Sequence, residues 1–504
     1  MYQLTAADLD ITADDETPII RAAAQTNPAI LKALLARYAR LRELTKGKTL
    51  SHERENMISM LSPSRTVYIY GVVQSPIKAA ISASLPDNVR ILLVAGADPN
   101  GIARVDLQLY SVQWIRGRHR SVDMTSDTPS TPRATALVAA QKNSSISDQV
   151  CPLTEAELDE RRRTVPRFWT EPEYPGQRLR MDRAITALEA AAAMGNIEIL
   201  DLLRAAGADE SAWLESTSDI ITTSSEQLFD IGDGSEAPIS ALSVSSPVHE
   251  ALAAGHQPML HHLLSTCGYC PNYCPRITPT VALSPLAYAI ALCNLDSAGV
   301  QQCLVDLLSH PRLNTNIRTP IFNVHVLHLA TAHHNPELLT WLANFIPEGL
   351  SAAGVTALGH TLLHVSSMPL TTSQMVFNTR RIAQSLHCAR TLGSRWRCRR
   401  IQKPLYDTAD RPFHKPEPLT VSQQRAQTDT ICVLLEWGGI DIRAQDRDGN
   451  TALHYLAGTL NVAKETIKLV LQMDGGEQVW RETRNLWGFT PSDLWEEQQV
   501  DFQF

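Results

Sequence analysis

Three closely spaced cysteines, Cys267, Cys270 and Cys274, form the sharpest candidate metal site in the sequence. Their C-x-x-C-x-x-x-C spacing, with His261 or His262 as a fourth donor, suits the tetrahedral thiolate and imidazole coordination of zinc. No second C-x-x-C pair lies nearby, and a loop that buries cysteine as a small apolar side chain explains the same residues. We therefore expect neither a metal nor a cofactor, and zinc is kept as the alternative.

Four histidines recur in one local setting, which suggests metal binding or catalysis at first sight. Each is the fourth residue of a run that begins with Ser, Thr or His and continues with two apolar residues. The four are His249, His328, His364 and His454. The repetition of the setting explains them better than a catalytic centre does, and we interpret them as structural residues.

A basic run spans Arg395–Arg400, with the sequence R-W-R-C-R-R, and Lys403 follows it. Such a cluster is typical of a nuclear-import signal or a phosphate-binding patch. The alternative is a solvated helix end beside the proline-rich segment 401–420. Both interpretations stay open at this point.

The sequence contains no recognised catalytic frame. P-loop, dinucleotide-binding, nucleophile-elbow, zinc-protease and kinase motifs are absent. Asp446, Asp448 and Asn450 are spaced like the start of a calcium loop, but the last ligand position holds Ala457 instead of glutamate. We expect no enzyme. A site within the insertions is disfavoured, because the longest insertion has roughly 70 residues, below the usual domain size.

The histidine-bearing runs belong to a motif that repeats along the chain. Ser or Thr usually opens the motif and suits a helix cap, and Pro or an apolar residue follows as the first helical residue. The copies place that residue at Pro18, Pro76, Ala187, Pro247, Pro285, Val326, Leu362, Ala452 and Pro491. Each copy therefore predicts the start of a helix.

A second helix is predicted after several of these starts, as in the stretch Ile197–Asp209. Leu-Leu pairs supply its apolar stripe, and a glycine follows where a positive φ should end the helix. These glycines are Gly96, Gly207 and Gly438. A further helix is predicted over residues 28–44, with an apolar side formed by Ile30, Leu31, Leu34, Leu35 and Tyr38.

The best-preserved copy is the stretch Asp448–Ala457, which reads D-G-N-T-A-L-H-Y-L-A. It resembles the D-x-x-G-x-T-P-L-H-x-A signature of an ankyrin repeat, with Ala452 in place of proline. The resemblance implies a mostly α fold: an ankyrin-repeat solenoid of about eight helix-turn-helix units with long loop insertions. It also implies that the motif histidine bonds to neighbouring backbone and to the motif threonine, as in Thr361 and Thr451.

The motif copies divide the chain into five predicted segments. Degenerate N-terminal repeats occupy 1–102, an insertion 103–180, central repeats 181–370, a basic and proline-rich insertion 371–425, and C-terminal repeats with a cap 426–504. The stretch Thr135–Ala140 fits one more repeat, and a capped helix is predicted to begin at Thr154. Part of the segment 371–400 is predicted to be helical.

Composition limits the class of protein. The formal net charge of −8 disfavours nucleic acid, and no apolar run is long enough to span a membrane. The N-terminus has no signal-peptide pattern, and nine irregularly spaced cysteines indicate reduced thiols. We expect a monomeric cytoplasmic or nuclear protein.

The resemblance implies a protein-interaction module or scaffold that binds its partner through the concave face and the loop tips of the array. Candidate contacts at the tips are Asp98, Asn100, Asp209, Glu210, Arg447 and Asp448. A nuclear regulatory protein or a ubiquitin-ligase adaptor is the alternative use of the same array. The sequence contains no F-box, SOCS-box or DNA-binding segment.

Overall fold

The computed structural model describes residues 17–69, 72–102, 185–214, 238–243, 245–275, 283–318, 323–356, 359–368, 419–446, 449–459, 461–485 and 488–501. Several predictions lie outside these ranges. They concern the extra repeat at 135–140, the helix at Thr154, the segment 371–400 with its basic run, and the tip residues Arg447 and Asp448.

Short helices dominate the described residues. In chain order they are α1 (Pro18–Ala23), α2 (Ala29–Thr45), α3 (His52–Met60), α4 (Pro76–Ser82), α5 (Pro86–Val94), α6 (Ala187–Ala193), α7 (Ile197–Ala205), α8 (Ser211–Leu214), α9 (Pro247–Ala254), α10 (Gln257–His261), α11 (Pro285–Leu292), α12 (Ala298–Leu308), α13 (Val326–Thr331), α14 (Pro336–Ala343), α15 (Leu362–Ser367), α16 (Val421–Trp437), α17 (Ala452–Ala457), α18 (Lys464–Leu471), α19 (Gly476–Glu482) and α20 (Pro491–Asp501). Short 3-10 helices span Ile239–Leu242 and Gly349–Ala353, and a π-helical turn spans His262–Thr266.

The helices stack as pairs, which confirms the predicted solenoid. The first helix of each unit packs on the first helix of the next, in the order α1, α4, α6, α9, α11, α13, α15, α17 and α20. Each of these first helices except α20 is followed by a second helix that packs against it. One apolar core extends from Ile19 to Leu434, and smaller clusters continue it to Leu494. No unit closes a core alone, as expected of a repeat array.

The predicted caps explain where most of the first helices begin. The Ser75 hydroxyl accepts a hydrogen bond from the Lys78 N–H at 3.3 Å, and Ser246 and Ser284 cap α9 and α11 in the same way. Proline follows each of these serines, where a missing N–H costs nothing. Thr17 is different, because its hydroxyl caps nothing although Pro18 follows it.

The glycine positions also agree with the sequence. Gly96, Gly207 and Gly438 have φ values of 84°, 85° and 82°, which fall in the region that side chains disfavour. Each follows a second helix. A left-handed residue at this point turns the chain toward the next loop.

The N-terminal helix is predicted correctly in extent and partly in orientation. Helix α2 buries Leu31, Leu34 and Leu35, and Tyr38 is half-buried. The prediction was wrong for Ile30, whose side chain is 56% exposed. The buried side of α2 is formed by the three leucines instead.

A single short β-hairpin precedes α4 in the part of the chain that the structure describes. Strands β1 (Val67–Ile69) and β2 (Val72–Gln74) run antiparallel, with Val67 opposite Gln74.

Helix α16 begins five residues before the predicted segment boundary at 426, and that boundary stays a prediction. Within the described ranges, no helix is both long and apolar enough to cross a membrane.

Candidate functional site

The motif histidines connect each unit to the next one. In His364, Nδ1 accepts a hydrogen bond from the Thr361 N–H at 3.2 Å, and Nε2 lies 3.0 Å from the Asn450 carbonyl oxygen. Asn450 directly precedes Thr451, the cap of the following first helix. The same bridge to the residue before the next cap joins His249 to Leu283, His328 to His360 and His454 to Phe489, at 3.0, 3.2 and 3.0 Å.

These contacts fix the tautomer of the rings. Because Nδ1 of His364 and of His454 accepts from a backbone N–H, the proton must sit on Nε2, which then donates to the carbonyl. The Thr361 hydroxyl lies 2.8 Å from Nδ1 and therefore donates to it. Both ring nitrogens are engaged, so neither is available to a metal or a substrate. The predicted structural role is confirmed for these histidines.

Burial keeps these rings neutral. Burial lowers the pKa of His454 to about 4, although the Phe489 carbonyl opposes the shift. Burial and the nearby His360 ring lower the pKa of His364 to about 4. Burial and the neighbouring His325 and Arg318 lower the pKa of His328 to about 3. A second proton on any of these rings would sit on Nδ1 and remove the hydrogen bonds that this atom accepts.

An acidic residue takes the place of histidine in two units. Glu189 stands at the motif position, and its Oε2 accepts hydrogen bonds from the Thr186 N–H and hydroxyl at 2.8 and 2.9 Å. Its Oε1 accepts from the Ser243 hydroxyl at 2.6 Å, which links α6 to the segment before α9. In the last unit, Asp493 accepts from the Thr490 N–H at 2.9 Å. The T-x-x-E capping-box pattern was the sequence signal for Glu189.

The tip residues Asp98 and Asn100 lie half-buried at the end of the loop after α5. Asp98 Oδ1 accepts from the Asn100 N–H at 2.9 Å. Asn100 Oδ1 in turn accepts from the Asp209 N–H at 2.8 Å, so the two tips are in direct contact. Partner binding by these residues stays a prediction.

Asp209 and Glu210 lie at the adjacent tip and are held by internal bonds. Asp209 accepts hydrogen bonds from Ser211 and from Ser240. Glu210 pairs with the Arg204 Nε at 2.7 Å and accepts from the Tyr269 hydroxyl at 2.6 Å. These carboxylates therefore order the tip, whatever else they contact.

A similar contact joins the next two tips. Asn272 Oδ1 accepts from the Asn314 N–H at 2.8 Å, and its amide nitrogen donates to the Arg312 carbonyl at 2.7 Å. Sequence reasoning missed Asn272, because no motif marks an asparagine in a cysteine-rich loop.

The three clustered cysteines do not converge on one point. Cys267 lies beside Asp201 and His262, on the outer helices. Cys270 accepts from the Asn272 N–H, and Cys274 packs against Ile317. Burial raises the pKa of the Cys267 and Cys274 thiols to about 11 and about 12. The three thiols therefore do not form a group with the spacing of metal ligands.

Asp446 forms a buried polar cluster that the sequence did not reveal. Its carboxylate accepts from the Asn450 N–H at 2.8 Å and from the Tyr455 hydroxyl, and His360 Nε2 lies 3.6 Å away. Burial alone would raise its pKa, but His360, His364 and the Tyr455 hydroxyl lower it to about 2. Asp446 thus holds the turn before α17 through its hydrogen bond from the Asn450 N–H.

Comparison with known proteins adds little at the level of sequence. No protein-family model matches the chain, and no curated protein matches it. The ankyrin repeat domain of human ASB11 is 15% identical and covers 74% of this chain and 97% of its own, with a TM-score of 0.34. The ankyrin repeat domain of Bcl-3, described as a unique member of the IkappaB protein family, is 17% identical over 74% and 99%, also with a TM-score of 0.34.

The assignment rests on the geometry of the chain itself. The first helices form one row, the capping residues recur at one position, and a side chain at the fourth motif position joins successive caps. These features follow the signature seen in Asp448–Ala457. The protein therefore has an ankyrin-repeat fold.

Proposed function

We propose that the protein is a non-catalytic scaffold that binds a protein partner along the row of loop tips and the adjoining ends of its first helices. The observation that carries the proposal is the contact between neighbouring tips. Asn100 reaches the tip at Asp209, and Asn272 reaches the tip at Asn314. Such bonds make adjacent tips one ordered edge, and an ordered edge loses less entropy when a partner binds.

The first helices contribute little exposed surface of their own. Helix α9 buries every residue from Pro247 to Leu252, and α13 and α17 bury all six of their residues. In α9, only the C-terminal residues Ala253 and Ala254 are exposed. This distribution favours tips and helix ends over the middle of the first-helix row.

Exposed polar side chains at the tips are the best candidates for direct contact. Asp98, Asn100, Asp209 and Glu210 already hold the edge together through their own bonds. Ser211, Asn314 and Asn316 are exposed on the same tips. We therefore assign an ordering role to the first group and a contact role to the second.

Site-specific photocrosslinking in the native cell tests the proposal. A photoreactive residue at Asn316 should capture a discrete partner, which mass spectrometry identifies. The matched control carries the same residue at Gln302, which is equally exposed on the outer helix α12. Capture of the same partner from Gln302 alone, or turnover of a substrate by the purified chain, would overturn the proposal.

A nuclear role for the scaffold depends only on the basic run Arg395–Arg400. Replacing the four arginines of that run with glutamine should shift the protein toward the cytoplasm if the run directs import. Unchanged localisation would remove the nuclear interpretation and leave the scaffold proposal intact.

A further inference from the structure

Three metal-ligating side chains of different chemistry meet on the outer helices of two neighbouring units. Asp201 lies on α7, His262 is the first residue of the π-helical turn that follows α10, and Cys267 directly follows that turn. His262 Nε2 lies 2.9 Å from Asp201 Oδ1, and the three ligand atoms lie within 4.8 Å of one another. Among the residues that the structure describes, no other group of three ligands has this spacing.

The π-helical turn is what brings Cys267 to this place. The Cys267 N–H donates to the His262 carbonyl at 3.0 Å, five residues back along the chain. Five residues of regular α-helix turn through about 500°, which would leave Cys267 roughly 140° round the axis from His262. The wider π turn closes most of that angle, so both side chains reach the same spot. Such turns are rare and occur frequently at functional sites.

The surrounding charges favour a divalent cation. Asp201, Glu210 and a Cys267 thiolate would contribute three negative charges, against one positive charge on Arg204. Arg204 lies 4.0 Å from Asp201 but is bound by Glu210 through two nitrogens, at 2.7 and 3.2 Å. The guanidinium also lies beside the Cys267 thiol. With a Cys267 thiolate, the negative charges of this group still outnumber the positive charge of Arg204 by two, which a divalent cation would balance.

The ligand set and its spacing match zinc. Aspartate oxygen, imidazole nitrogen and thiolate sulfur are all zinc ligands, with bonds of about 2.0–2.3 Å that hold them roughly 3.3–3.8 Å apart in a tetrahedron. The His262 Nε2 and Asp201 Oδ1 atoms, 2.9 Å apart, would have to separate by roughly 0.4 Å, and the pairs with sulfur would have to close by roughly 1.3 Å at most. The Asp201 side chain, which is 49% exposed, is free to make part of this movement. The same exposure admits water to the fourth position.

We propose that Asp201, His262 and Cys267 bind one zinc ion with a water molecule as fourth ligand. The ion would join helix α7 to the turn after α10 and so clamp two adjacent units on their outer side. Cys270 and Cys274 take no part, since they contact Asn272 and Ile317 instead. This site differs from the three-cysteine interpretation in both its ligands and its position.

Cobalt binding to the reduced, metal-stripped full chain tests the proposal. Stoichiometric Co²⁺ should produce a thiolate-to-cobalt absorption band, which zinc then displaces. Cys267→Ser should abolish the band. Cys274→Ser and His261→Gln should retain it, because neither residue belongs to the cluster of three ligands. No band in the wild type, or a band that survives Cys267→Ser, would overturn the proposal.

A second variant guards against misfolding of Cys267→Ser. Asp201→Asn removes a charge from a half-exposed side chain and should leave the fold intact, as circular dichroism can verify. Loss of a ligand should weaken zinc affinity by at least about tenfold, since even supporting residues of metal sites cost that much. Equal zinc affinity of wild type and Asp201→Asn would exclude Asp201 as a ligand.

Discussion

The unit capped by Thr186 and the unit capped by Thr451 perform one structural task with different chemistry. In the second unit, His454 accepts from the Thr451 N–H through Nδ1 and reaches the next unit through Nε2. In the first, Glu189 accepts from Thr186 with one oxygen and from Ser243 with the other. Where the motif position carries a two-ended polar side chain, histidine is therefore one of several that fit, whereas the unit capped by Ser284 has Ala287 at this position.

The two solutions respond to pH in opposite directions. Burial raises the pKa of Glu189 to about 7, with Glu250 adding to the shift and the Ser243 and Thr186 hydrogen bonds opposing it. Burial lowers the pKa of His454 to about 4. Both shifts favour the neutral side chain. Glu189 therefore stabilises the fold most below pH 4.5 and loses that effect as pH rises to 7. His454 stabilises it most above pH 6.5 and loses that effect as pH falls to 4.

Acidification should produce the largest change. His328, His364 and His454 all have lowered pKa values, so the unfolded chain takes up more protons than the folded chain between pH 6.5 and 4. Each unit of pKa shift corresponds to about 1.4 kcal/mol, and the three together should cost several kcal/mol. Urea unfolding midpoints measured from pH 7.5 to 4.5 check this. A midpoint that rises on acidification would show that Glu189 outweighs the histidines.

Loss of one bridging ring should have the next largest effect. His454→Ala leaves the Thr451 N–H and the Phe489 carbonyl without their partner and opens a cavity at a fully buried site. We expect a loss of about 2–4 kcal/mol in unfolding free energy, from urea denaturation. His261→Ala, at an exposed position, is the control and should change stability by less than about 0.5 kcal/mol.

Neutralising the acidic cap should sharpen the contrast between the two units. Glu189→Gln keeps an acceptor for Thr186, offers Ser243 an amide donor in place of the carboxylate acceptor, and carries no charge. Relative to the wild type, the variant should gain about 2–3 kcal/mol of unfolding free energy between pH 5 and pH 8, because burial penalises the wild-type carboxylate as it ionises. Thermal unfolding at both pH values measures this. The control is Glu198→Gln, because the Glu198 side chain is exposed. An equal gain in stability at pH 8 in the control would refute burial of the Glu189 carboxylate as the cause.

The smallest effect should come from the tips. Asn100→Ala removes the acceptor for the Asp209 N–H, which should cost about 1 kcal/mol and loosen the edge locally. Hydrogen exchange should accelerate at Asp209 and remain unchanged at Ile199, deep in α7. Asn316→Ala serves as the exposed control. Unchanged exchange at Asp209 would mean that the tips are ordered by other contacts.

Periodic features of this chain could be predicted from its sequence. The caps, the helix-ending glycines and the role of His364 and His454 depend on neighbours within a few residues or on a repeated position. The exposure of Ile30 could not be predicted, because the apolar pattern of α2 leaves more than one face possible. The structure alone decides which turn faces α1.

The proposed metal cluster, in contrast, could not be predicted from the sequence. Asp201 and His262 are 61 residues apart in the chain, and no motif relates them. Cys267 joins them only because a π turn replaces regular helix, and sequence patterns do not signal such a turn. Sequence spacing grouped Cys267 with Cys270 and Cys274, whereas packing groups it with His262 of its own unit and Asp201 of the preceding unit.

The central claim is that one motif position holds neutral side chains of two kinds as bridges between units. A pH titration of the full chain, with NMR signals assigned to Glu189 and His454, tests it most directly. We expect an inverted order, in which the Glu189 carboxyl titrates near pH 7 and the His454 ring near pH 4. The ordinary order, with the carboxyl titrating near 4.5 and the ring near 6.5, would contradict it.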